Sequence, residues 1–130
     1  GYRAVSFAVE AENAAAVLDA AGIRVTMDLA ADPPPTLDHL LGSLLREATT
    51  NIIRHSTASH VEIALVSDTA GNIVLNIGND GVPEDPRSTD GTGIVSLAEQ
   101  YYAAGGTLSA TTDHGHFVLL GTVPQAAGAA

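Results

Sequence analysis

Glu47, Asn51, Arg54 and His55 recur at helical spacing within the stretch Arg46–Ser56. At about 100° per residue they share one flank of a helix, beside an apolar stripe of Leu37, Leu40, Leu41, Leu44, Leu45, Ala48 and Ile52. A carboxylate one turn before an amide can handle a proton and a hydrated metal ion on the same wall of a cleft. An arginine one turn further on can meet phosphate oxygens. A solvated flank with i,i+4 pairs uses the same residue types, so this stretch alone does not decide between the two.

Two distant segments bear on the choice. Asn79-Asp80-Gly81 falls at the end of a predicted strand, where a side-chain oxygen could accept from the exocyclic amino group of adenine; the same tripeptide also suits an ordinary Asx turn. Gly91-Thr92-Gly93 opens a predicted helix, and helix N-terminal amides beside glycine let an anion come close. As a dinucleotide fingerprint it fails, because Ser96 replaces the third glycine and a long polar loop precedes it. His114-x-His116 suggests a metal, yet no third ligand stands at a suitable spacing, and a polar hairpin tip accounts for the pair. His39 and His60 have no partner readable from the sequence.

Composition narrows the chemistry. The chain has 130 residues, 45% hydrophobic, with no cysteine or tryptophan, which suits one soluble domain without disulfides or thiolate metal sites. A net charge of -10 argues against a nucleic-acid surface. All 5 basic residues are arginine, and without lysine a Walker P-loop is excluded. Phosphate must then be held by backbone amides, a metal ion and a few arginines. No apolar run approaches the ~18 residues of a membrane span, and the expected location is cytoplasmic.

The elements that position these residues can be read in order. Ser6 to Ala21 reads as a helix with Val9, Ala16, Val17 and Ala20 on its buried face, stopped by Gly22; Ile23 to Leu29 alternates as a half-buried strand. Asp32-Pro33-Pro34-Pro35 makes a stiff connection, Thr36 is placed to cap, and the long helix runs from about Leu37 to Arg54. Val61 to Val66 and Ile73 to Ile77 form an antiparallel hairpin about Asp68–Asn72. Gly78 to Gly93 is one long glycine-rich loop of the kind that serves function. A helix from Ile94 to Ala104, ended by Gly105-Gly106, precedes a second hairpin, Thr107 to Thr112 with Phe117 to Val123. The predicted fold class is α+β, a two-layer sandwich with a mostly antiparallel mixed sheet and helices on one face. Residues 1–22 form a linker helix, 23–124 the core and 125–130 a frayed tail.

In this order, Arg46–Ser56, Asn79-Asp80-Gly81 and Gly91–Gln100 with Ala104-Gly105-Gly106-Thr107-Leu108 resemble the N box and glycine boxes of the catalytic and ATP-binding domain of bacterial sensor histidine kinases. That domain belongs to the Bergerat-fold ATPases, with type II topoisomerases and the heat-shock and mismatch-repair ATPases. The resemblance covers nearly the whole chain. Gly-Tyr-Arg at the start and the helix ending Ala-Ala-Gly-Ile are most similar to the nitrate-sensor and desaturase-thermosensor subfamily.

The resemblance implies cofactors ATP and Mg²⁺, with Asn51 on the metal and Glu47 polarising or accepting from the attacking group. Arg54 and His55 would contact phosphate, Asn79, Asp80 and Gly81 would lie at the base, Gly91, Thr92 and Gly93 would lie at the phosphates, and residues 83–90 would form a lid. Asn79 stands where the family has an acid and Pro83 where many members have a glycine, departures that point toward the alternative of a non-catalytic nucleotide-binding module. An anti-sigma-type serine kinase is a further alternative, disfavoured by the Gly-Tyr-Arg segment. No histidine lies in an acceptor motif, so the expected partners are an upstream dimerisation and phosphoacceptor domain and a response regulator. The domain is expected to be monomeric in isolation, without direct membrane contact, and its parent homodimeric.

Overall fold

The computed structural model describes residues 6–82 and 92–125, Thr92 by its backbone alone. The helices are α1 (Phe7–Ala20), α2 (Asp38–His55) and α3 (Thr92–Ala103); the strands are β1 (Arg24–Leu29), β2 (His60–Ser67), β3 (Asn72–Asn79), β4 (Thr107–Asp113) and β5 (His116–Pro124). They build one sheet in the order β1-β2-β3-β5-β4, antiparallel except for the β1–β2 pair. Parallel neighbours need a crossover, and α2 supplies it. The α+β class and the mixed, mostly antiparallel sheet agree with the alternation read from the strands.

The core lies between the helices and one sheet face. Val61, Ile63 and Leu65 of β2, Ile73, Leu75 and Ile77 of β3, and Leu119 and Val123 of β5 alternate toward it. On α2 the buried set is Leu40, Leu41, Leu44, Leu45, Ala48 and Ile52, with Leu37 just before it, which is the expected stripe. Gly121 of β5 admits this packing, since a Cβ there would fall 2.8 Å from both Leu44 Cδ2 and Tyr101 Cε2. The Tyr101 hydroxyl, pushed to a higher pKa by burial, donates to the Leu40 carbonyl at 3.2 Å and fastens α3 to α2.

Several expectations require correction. On α1 the buried residues are Phe7, Glu10, Ala11, Ala14 and Leu18, while Val9 and Val17 are 52% and 47% exposed. In an alanine-rich helix the stripe is set by its largest members, and Phe7 with Leu18 outweigh the valines. α1 thus contributes Phe7, Ala11, Ala14 and Leu18 to the hydrophobic core. Its entry is further fixed by the Arg46–Glu10 ion pair at 2.8 Å, which raises the Arg46 pKa. Thr36 lies inside a 3-10 turn, Pro35–Leu37, and the N-cap position of α2 falls on Leu37 without a side-chain cap bond. β3 continues through Gly78 and Asn79, which the glycine-rich loop was expected to contain, because both remain paired with β2 and β5. The β4–β5 hairpin turns at His114 (φ 52) and Gly115 (φ 78), a two-residue turn with both centres left-handed. Pro83, the lid at 83–90, Gly91 and the tail at 126–130 lie outside the described residues, as do residues 1–5.

Candidate functional site

A cleft of about 620 Å³, its open mouth included, lies between α2, β3, β5 and the first turn of α3. Most of its lining is apolar: Ala48 and Ile52 from α2, Ile77 from β3, Ile94 from α3, Phe117 and Leu119 from β5, and Val82. The polar groups are Asn51, His55 and Ser56 on the helix wall and Asn79 on the strand wall. A flat heteroaromatic ring suits such a slot, with two amides on opposite sides to orient it.

The helix wall is held by packing. Because Ala48 and Ile52 are buried, the residues beside them on the α2 surface must face the cleft rim. Asn51 is half-buried, and its amide has no hydrogen-bond partner among the described residues. Glu47, one turn earlier, has its carboxyl against Gly93 of α3, where an added Cβ would fall 2.5 Å from Glu47 Cδ. His55 is exposed and borders both the cleft and a shallower groove formed with Arg54, Thr57, Gly81 and Val82. Arg54 lies on that outer groove and not in the cleft. Three residues beyond Asn51, it is turned about 60° away from the buried stripe.

The strand wall is held by hydrogen bonds. Asn79 is 3% exposed and its Nδ2 donates to the Asp80 carbonyl at 2.8 Å, so its amide oxygen is the acceptor it can offer to the cleft. Asp80 points elsewhere. Its Oδ1 accepts from the Ser59 and His60 amides at 2.8 and 3.0 Å, and its Oδ2 accepts from the Ser59 hydroxyl at 2.5 Å. The Ser59 hydroxyl and the His60 amide together hold the Asp80 carboxyl at about 2, below the usual carboxylate range. The choice that the tripeptide left open thus falls on Asn79 for the cleft and on Asp80 for fastening β3 to the start of β2. Gly81, at φ 73, backs onto the Thr57 main chain, and the Thr57 amide donates to its carbonyl at 3.0 Å.

The histidine pair at the hairpin tip gathers no metal set. His114 pairs with the exposed Asp113, His116 lies 4.0 Å from Glu62, and no group of three or more metal-ligating side chains occurs among the described residues. His60, for which the sequence offered no partner, shares a 2.8 Å hydrogen bond with Thr26 across the β1–β2 pair. The apolar lining from Ile77, Val82, Ile94, Phe117 and Leu119 had no signature in the sequence, because strand alternation marks core and cleft floor alike.

The chain matches no protein-family model. It is 33% identical over 97 residues to the sensor histidine kinase YxjM of Bacillus subtilis, covering 72% of this chain and 23% of that protein. It is 30% identical over 125 residues to the sensor histidine kinase YvfT of the same organism, covering 94% of this chain and 33% of that protein. The chain thus spans a third or less of the length of these relatives. Among solved structures, the histidine kinase AdeS of Acinetobacter baumannii superposes with a TM-score of 0.73 at 18% identity, over 96% of this chain and 68% of that one. Full-length ShkA in complex with AMPPNP superposes with a TM-score of 0.68 at 18% identity, over 89% of this chain and 30% of that one. No helix among the described residues is long and apolar enough to cross a membrane.

Proposed function

Since this chain belongs with the bacterial sensor histidine kinases by sequence and shares the fold of their catalytic domains, we propose that its cleft binds ATP with Mg²⁺ for phosphoryl transfer to a histidine on a separate helical domain. One observation carries the reading: an apolar slot has two amides on opposite walls, Asn51 on α2 and Asn79 on β3. The Asn79 oxygen accepts from the exocyclic amino group of adenine, and Ile52, Ile77, Ile94 and Phe117 enclose the ring. Asn51 supplies an oxygen to the metal. Mg²⁺ is commonly held by one or two protein ligands together with substrate phosphates and water, which suits a single amide oxygen from Asn51. When bound, the metal neutralises charge developing on the phosphates.

Glu47 accepts from the attacking imidazole as its nitrogen bonds to the γ-phosphorus and the bond to the bridging oxygen breaks, leaving ADP. The start of α3 at Gly93 faces the phosphates, and His55 and Arg54 flank them. The chemistry is mostly positioning and electrostatics. In the parent protein the partners are a dimerising phosphoacceptor domain, forming a homodimer, and a response regulator, all in the cytoplasm. Calorimetry with AMPPNP, with and without Mg²⁺, tests binding. Adding the chain in trans to a cognate helical domain with labelled ATP tests transfer. The neutral amide at Asn79 favours a second reading, a nucleotide-binding module without catalysis, and binding with no transfer would select it.

A further inference from the structure

Nothing in the geometry of α3 itself calls for glycine at position 93. The residue lies in the first turn of the helix and is not among the glycines with positive φ. Glycine there weakens the helix relative to alanine. Several other described glycines have local reasons: Gly81 has a left-handed backbone, Gly106 backs onto the Thr122 carbonyl, and Gly121 backs onto Leu44 and Tyr101. Gly93 alone among them backs onto a carboxylate. An added Cβ would fall 2.5 Å from Glu47 Cδ and 2.6 Å from each carboxylate oxygen, so the Glu47 carboxyl occupies the volume that a methyl group would fill.

We propose that Gly93 is a positioning residue for Glu47, its missing side chain forming the seat that holds the carboxylate between α2 and α3. Glutamate has three freely rotating bonds, and half-exposed on α2 it would sample many rotamers. The seat selects one. It also ties the carboxylate to α3, so the two motifs are joined by contact. The catalytic consequence rests on the reading of Glu47 given above; the seating itself does not.

Two measurements separate these claims. Thermal unfolding of the parent, Gly93→Ala, Glu47→Ala and the double variant tests the seat without any nucleotide. Alanine at 93 is expected to raise Tm more in the Glu47→Ala background, where its methyl meets empty space, than in the parent, where it must displace the carboxylate. Equal shifts in the two backgrounds overturn the seat. Transfer in trans tests the consequence. Gly93→Ala should slow transfer about as much as Glu47→Gln and add no further loss to Glu47→Gln. Glu47→Asp, one methylene shorter, should restore part of the rate to Gly93→Ala. Independent losses in Gly93→Ala and Glu47→Gln overturn the positioning role. A parent that neither binds AMPPNP nor transfers phosphate, yet shows the Tm coupling, retains the seat and refutes the kinase reading.

Discussion

The two walls of the cleft are held by opposite means. The helix wall takes its register from a buried stripe, so Asn51 and Glu47 contribute little to the packing that aims them. The strand wall ends where β3 leaves the sheet, and its aim comes from polar groups: Asn79 donates to the Asp80 carbonyl, and Asp80 accepts from Ser59 and His60. On the helix wall, function and stability are therefore separable. On the strand wall Asn79 serves both, and its substitution must disturb folding as well as binding.

The largest effect tests the helix wall. Asn51→Ala should weaken Mg-AMPPNP binding on the order of 100-fold while leaving Tm nearly unchanged, since the amide has no partner among the described residues. A large fall in Tm, read by calorimetric unfolding, would break the comparison. Asn79→Ala should behave differently. It should lose about tenfold in nucleotide affinity and also destabilise by about 1–2 kcal/mol, because a buried hydrogen bond and part of a packed side chain vanish together. Asn79→Asp, which looks like a return to the family's acid, places an oxygen against the Asp80 carbonyl where Nδ2 now donates. It should also lower stability, and denaturant titration of the two variants checks both.

Asp80 sharpens the contrast further, as a residue with a structural effect and little effect on the ligand. Asp80→Asn keeps the shape but turns an NH₂ toward donors, and should cost about 1 kcal/mol after allowance for its exposure, with AMPPNP affinity changed less than threefold. The sign of the pH dependence follows from a folded pKa of about 2, below the ordinary carboxylate range. The unfolded chain takes up the proton first, so the contribution is complete above about pH 4 and is lost as pH falls through 2. Unfolding curves of parent and variant should converge over that window.

The same division explains what was legible in the sequence. The buried stripe of α2 is periodic and sets the angle of every residue on the helix, so the side of α2 that carries Asn51 could be told from spacing alone. Asn79 and Asp80 could not be told apart, because their roles depend on which of them meets Ser59 and His60, residues far away along the chain. The α1 face was misread for a related reason. An alanine-rich helix has weak periodicity, and its orientation is decided by a few large members, here Phe7 and Leu18. The seat at Gly93 was equally hidden, since only tertiary contact distinguishes a glycine that yields space to a carboxylate from one that eases a turn.

The smallest effect concerns the edge of the helix wall. Spacing groups Arg54 with Asn51, but the structure puts it on the outer groove beside Gly81 and Val82, exposed and directed away from the slot. A guanidinium there acts on phosphate through solvent, so Arg54→Ala should weaken AMPPNP binding about two- to threefold at 0.15 M salt and somewhat more at 0.01 M, where screening is weaker. Calorimetry at the two ionic strengths checks this. A loss above tenfold that ignores salt would mean that Arg54 reaches the phosphates directly, and the functional helix wall would then extend a further turn around α2.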